Sequence, residues 1–106
     1  MNDLKFSIYF VWLPKEIGGH SAAPFEGMRT VVSWQRNFAD QIDVLVDVSW
    51  SNVKFQAVPD MGECAGKGEA DCSIREIGER SKLPLQSGEL LEFRSSYKII
   101  AIGRVI

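Results

Sequence analysis

Apolar and polar residues alternate with a period of two along much of this chain. Leu4, Phe6, Ile8, Phe10 and Trp12 fall on one side of an extended segment, with Lys5 and Ser7 opposite them. That is the pattern of a half-buried β-strand. Tyr9, Val11 and Leu13 make the second face apolar toward the end of the segment, which predicts that part of that face is covered too. From Lys15 to Pro24 the chain reads as an irregular loop, punctuated by Gly18-Gly19 and Pro24. Arg29 to Arg36 is a second strand candidate. A third is clearer: Ile42, Val44, Val46, Val48 and Trp50 alternate with Asp43, Asp47 and Ser49. Trp34, Phe38, Ile42 and Leu45 also fit helical spacing, so a short helix over 33–45 competes with the strands; the strict alternation from Ile42 onward favours the strand.

Val53 to Val58 reads as a short strand stopped by Pro59, and the glycine-rich run from Met61 to Gly68 as the turn that follows. Ala70, Cys72, Ile74 and Glu76 mark the next strand. A polar loop around Leu83-Pro84 leads to a last hairpin from Leu90 to Ile106, with its turn near Arg94-Ser95-Ser96-Tyr97. Six or seven short strands without a long helix or a repeat predict an all-β barrel or sandwich in a single domain, and closure into a barrel removes exposed sheet edges.

Composition narrows the function classes only slightly. The chain has 106 residues, 45% of them apolar and 25% charged, ordinary values for one folded domain. Its net charge of −2 argues against general attraction to nucleic acid or anionic membrane. The charge is uneven: residues 1–36 carry +1, 37–71 carry −5 and 72–106 carry +2. The acidic middle reads first as a solvated face and second as a docking surface for a basic partner. The first apolar run, Phe6 to Leu13, ends at Pro14, far short of the roughly 20 residues needed to span a bilayer. It also lacks the basic start and small-residue cleavage site of a signal peptide. With two cysteines, Cys64 and Cys72, a disulfide scaffold is not expected, and the expected setting is the reduced cytoplasm.

No arrangement of residues predicts catalysis. Ala65-Gly66-Lys67-Gly68 lacks both the spacing and the hydroxyl of a phosphate-binding loop, and a strand follows it where a helix is required, so it reads as a tight turn. His20 is the one histidine; with Cys64 or Cys72 as nucleophile it makes a remote enzyme alternative, but no local signature marks either thiol. Two cysteines and a distant histidine do not make a metal site, and no cofactor is expected. Cys72 is in phase with Ala70 and Ile74 and reads as an inward, small apolar side chain. Asp43 and Asp47 lie roughly 13 Å apart along one strand face, too far for a glycosidase pair. Trp12 and Trp50 are in phase with apolar faces and predict core positions. Trp34 is unassigned by phase.

Leu13-Pro14-Lys15-Glu16-Ile17-Gly18-Gly19-His20, followed by Pro24-Phe25-Glu26-Gly27-Met28-Arg29, resembles the opening of the third domain of elongation factor Tu. There a strand leads to Lys-Glu/Asp-Glu-Gly-Gly, a histidine, Pro-Phe-Phe and Gly-Tyr-Arg. Gly88, Leu91 to Arg94 and Ala101-Ile102-Gly103 are similar to the family's closing hairpin. The resemblance implies a six-stranded antiparallel β-barrel, here as a stand-alone domain, and a translation-related binding role in place of GTP hydrolysis. In the family this barrel contacts its GTPase domain, the exchange factor and the acceptor–T-stem side of tRNA. The tRNA-facing positions differ: Thr30-Val31 stand where the family has Pro-Gln. Gln35-Arg36-Asn37 replace Arg-Thr-Thr, and Ser95-Ser96-Tyr97-Lys98 replace Glu-Gly-Gly-Arg.

The expectation is therefore a non-catalytic binding module for a protein partner, a GTPase or a second copy of itself, with Trp34, Phe38 and Tyr97 as apolar anchors. The alternative is an RNA- or tRNA-binding module that uses Arg29, Arg36, Arg94 and Lys98.

Overall fold

The computed structural model describes residues 4–17, 22–34, 46–62, 64–74, 85–95 and 98–106. Six strands dominate them: β1 (Leu4–Trp12), β2 (Arg29–Trp34), β3 (Val46–Ala57), β4 (Gly66–Ile74), β5 (Leu90–Ser95) and β6 (Lys98–Val105). All neighbours pair antiparallel, and the order β1-β4-β3-β2-β5-β6 closes back on β1. The expected six-stranded antiparallel barrel is thus the observed fold. Its last hairpin, β5–β6, falls where the alternation placed it, with the turn residues 96 and 97 outside the described set.

Side-chain size governs how these strands sit together. The inward positions of β1 are large, and the β4 positions opposite them are small: Phe6 faces Cys72, Ile8 faces Ala70, Phe10 faces Gly68 and Trp12 faces Gly66. On the other side of β1, Phe10 faces Gly103 and Trp12 faces Ala101 of β6. Small residues flanking large ones let a narrow barrel hold several aromatic rings at interior density. Trp50 stands edge-on to both Phe10 and Phe93 with centroids 5.0 Å apart in each pair, a favoured aromatic geometry. Both buried indoles donate their N–H groups, Trp50 to Thr30 Oγ1 at 2.9 Å and Trp12 to the Ala22 carbonyl at 2.8 Å.

Three expectations are corrected. The segments read as separate strands at Ile42–Trp50 and Val53–Val58 are one strand over the described range, Val46–Ala57. The pairing with β4 shifts between Ser51 and Lys54, and Asn52 adopts a left-handed φ of 51°, so the strand is bulged there and continues. The Glu26 carboxylate accepts from the backbone N–H of Asn52 at 2.9 Å and of Val53 at 3.1 Å, satisfying donors released by the bulge.

Second, Gly66-Lys67-Gly68 is not a turn but the start of β4, paired with β1 and β3. The turn lies earlier, around the 3-10 segment Pro59–Met61. A Cβ on Gly66 would meet the Phe55 ring at 2.8 Å, and one on Gly68 would lie 2.9 Å from the Lys54 carbonyl carbon. Glycine is here for close approach. Third, of the second face of β1 Tyr9 and Val11 are exposed, and only Leu13, just past the strand, is half-buried.

Ser33 and Trp34 are in β2, which removes the start of the competing helix. The remainder of that stretch, Gln35–Leu45, and the expected strand extension to Glu76 lie outside the described residues.

Candidate functional site

The closed barrel brings three of the four basic candidates onto adjacent strands. Arg94 on β5 is the register partner of Val31 on β2, two residues from Arg29. Lys98 on β6 pairs with Ser95, next to Arg94. Arg29 and Lys98 are exposed. The Arg94 guanidinium is committed to Glu92 Oε1 at 2.8 Å and is 39% exposed, so its charge is partly offset. Its Nε is buried and meets no acceptor among the described residues. Arg36 is outside the described residues, as are Phe38 and Tyr97. Trp34 pairs through its backbone with Leu91 of β5, while its side chain is not among those described.

A different surface gathers three of the seven exposed large apolar side chains among the described residues, Tyr9, Val11 and Leu90. Two rows of outward residues cross the wall centred on β1. In one, Glu69, Tyr9 and Arg104 are successive register partners on β4, β1 and β6; in the other, Lys67, Val11 and Ile102 are. Gly68, Phe10 and Gly103 run between the rows. Together with Lys54, Phe55, Gln56 and Leu90 these residues line an open groove of about 700 Å³. Tyr9, Val11 and Leu90 are 54%, 40% and 43% exposed, a concentration of large apolar side chains that isolated surface positions do not give. The sequence carried one signal of this: from Ile8 to Leu13 both parities of β1 are largely apolar. Whether the outward set is covered depends on what β4 and β6 present beside it, and they present Lys67, Glu69 and Arg104 with one apolar residue, Ile102.

Beside the groove lies a polar network. Ser7 Oγ donates to Asp71 Oδ1 at 2.6 Å, and Asn52 Nδ2 donates to Asp71 Oδ2 at 2.8 Å. The Ser7 hydroxyl first, and then the Asn52 amide, hold the Asp71 carboxyl below its ordinary value of 3.8, with smaller help from Lys54 and Lys5. Through these two hydrogen bonds the cluster ties the bulge of β3 to β4 and β1. Sequence reasoning missed Glu26, Asn52 and Asp71, because their partners are remote along the chain.

Cys64 and Cys72 are not joined in a disulfide. Burial, and secondarily the Asp71 charge, pushes the Cys72 thiol up to about 12, the reverse of what a nucleophilic cysteine needs. His20 is outside the described residues. Among the described residues no group of three or more histidine, cysteine or acidic side chains is placed to hold a metal ion, and no helix is long and apolar enough to cross a membrane. No protein-family model and no curated protein matches the chain.

Proposed function

We propose that this chain is a non-catalytic binding barrel of the kind found as the third domain of elongation factor Tu, and that it docks a protein partner. The observation that carries this reading is the groove along β1, where Tyr9, Val11 and Leu90 stand exposed together. Tyr9 and Val11 lie where β1 already pairs with both β4 and β6, so their outward side chains are not covered by a further strand, and a cluster of exposed apolar residues marks an interaction surface. The groove supplies the apolar anchoring that the sequence suggested for Trp34, Phe38 and Tyr97. Two cysteines that are not joined in a disulfide suit the reducing cytoplasm.

A second reading, RNA binding, rests on Arg29, Arg94 and Lys98 lying on the neighbouring strands β2, β5 and β6. It is weaker, because Arg94 is paired with Glu92 and the chain is net acidic.

One experiment separates the two. Tagged wild type, Tyr9→Ser with Val11→Ser, and Arg29→Ala with Lys98→Ala are used as bait in parallel, and both protein and RNA are recovered. Protein docking predicts a partner lost with the β1 variant and kept with the basic-pair variant. RNA whose capture and salt dependence fall only in the basic-pair variant supports the second reading and overturns the first.

A further inference from the structure

Resting on the docking reading, we infer that the groove along β1 takes an amphipathic helix with acidic flanks. Among the described residues the charge around the groove is one-sided: Lys54, Lys67 and Arg104 line it against one carboxylate, Glu69. The contrast with the rest of the chain sharpens this. Residues 37–71 carry seven acidic and two basic groups, and those two, Lys54 and Lys67, both line the groove. Exposed apolar side chains between cations complement a segment that offers apolar side chains between carboxylates.

The backbone of the occupant follows from the closed topology. On the floor of the groove, β1 from Ile8 to Trp12 and the β4 and β6 residues beside it each pair on both sides, so no free row of N–H and C=O groups is there to bind an added strand. An extended segment laid on this wall would leave its own backbone groups facing side chains, whereas a helix satisfies them internally. The dimensions agree. From β4 across β1 to β6 is roughly 10 Å at the usual strand spacing, and the diameter of one α-helix is about 10–12 Å. A helix lying along β1 would seat its apolar stripe on Tyr9 and Val11, with carboxylates on its two sides reaching Lys67 and Arg104.

The test uses a synthetic, fluorescein-labelled helix of about 16 residues. Leucine occupies the i, i+3, i+4 and i+7 positions and glutamate the flanks. A matched peptide carries lysine in place of each glutamate. Binding is read by fluorescence anisotropy and located by amide chemical-shift changes on the full chain. The acidic peptide is expected to bind at least about tenfold tighter than the lysine peptide, with shifts centred on β1, β4 and β6. Tyr9→Ser with Val11→Ser abolishes that binding, and Lys67→Glu with Arg104→Glu inverts the preference between the two peptides. These are exposed positions, so the variants keep the fold, which their thermal unfolding verifies.

Equal binding of both peptides in the groove, or a preference for the lysine peptide, overturns the acidic-helix inference and leaves protein docking standing. Failure of both peptides to shift groove resonances also overturns it. Docking itself falls only if, in addition, no partner in the bait experiment depends on Tyr9 and Val11.

Discussion

The rings of Phe10 and Phe55 lie parallel, with 5° between their planes and 6.3 Å between centroids, although β4 separates the strands that carry them. Gly68 is the register partner of both residues. The two aromatic side chains therefore close over a position that has none, and the bulged half of β3 is drawn in toward β1 across β4. The same packing shapes the middle of the groove, where Gly68, Phe10 and Gly103 lie side by side.

Gly68→Ala tests this arrangement. The added carbon would lie 2.9 Å from the carbonyl carbon of Lys54 and nearer still to its oxygen. That obstacle is backbone and cannot rotate away as a side chain would. The substitution should cost at least about 1–3 kcal/mol, the range for overpacking a close-packed interior. Urea unfolding followed by tryptophan fluorescence measures it; a variant as stable as the wild type would show that β3 does not press on β4 at this point.

The bulge itself is addressed through Glu26, 27 residues before Val53 and 26 before Asn52. Glu26→Ala removes the acceptor for both backbone N–H groups, leaving them to solvent. Glu26→Gln keeps one neutral carbonyl oxygen. The expected order of stability is wild type, then glutamine, then alanine, with a total loss of about 1–2 kcal/mol for two partly solvated hydrogen bonds to a charged group. Equal losses in the two variants would mean that the negative charge alone matters, and no loss in either would remove Glu26 from the bulge.

Much of the barrel is legible in the sequence because each strand's inward set is defined by its own alternation: Phe6, Ile8, Phe10 and Trp12 in β1, and Ala70, Cys72 and Ile74 in β4. What is not legible depends on pairs that the fold brings together. Ser51-Asn52 interrupts the alternation of β3 and reads as a strand end, because the carboxylate that sustains the bulge arrives from a distant loop. Gly66 and Gly68 read as a turn because their local chemistry suits one; their strand role appears only beside Phe10, Trp12 and Phe55. The groove shows the same limit. The apolar outward set Tyr9 and Val11 is visible along the chain, yet the cations beside it, Lys67 and Arg104, come from β4 and β6. Of the basic positions expected from resemblance, Arg29, Arg94 and Lys98 fall on the neighbouring strands β2, β5 and β6, a placement that only strand order supplies.

Asp71 makes stability depend on acid pH in a defined direction. Its folded carboxyl is held below 3.8 by Ser7 and Asn52, so the folded state binds this proton less readily than the unfolded chain. The resulting stabilisation is fully present above pH 3.8 and is lost as the pH falls through the lowered folded value. Asp71→Asn lacks it at every pH. Its deficit against wild type should be about 1 kcal/mol near neutrality, modest because the network is open to solvent. The deficit should shrink below pH 3.8. Paired urea titrations at neutral and acid pH read the difference, and a deficit that stays constant or grows on acidification contradicts the network.

Cys72 gives the alkaline counterpart. Its folded thiol is raised to about 12 from an ordinary 9.0, chiefly by burial. The folded state therefore holds the proton more tightly than the unfolded chain. The associated stability is complete below pH 9 and is lost as the pH climbs toward 12. Cys72→Ala carries no such dependence, so its deficit against wild type should narrow over that window. At neutral pH the same burial predicts protection: a thiol reagent should modify half-buried Cys64 in the native protein and reach Cys72 only at the rate of unfolding. Modification of Cys72 at the rate of Cys64 under native conditions would mean that the inner face of β4 opens without global unfolding. That outcome would place the small-for-large packing of β4 against β1 among the barrel's weakest contacts.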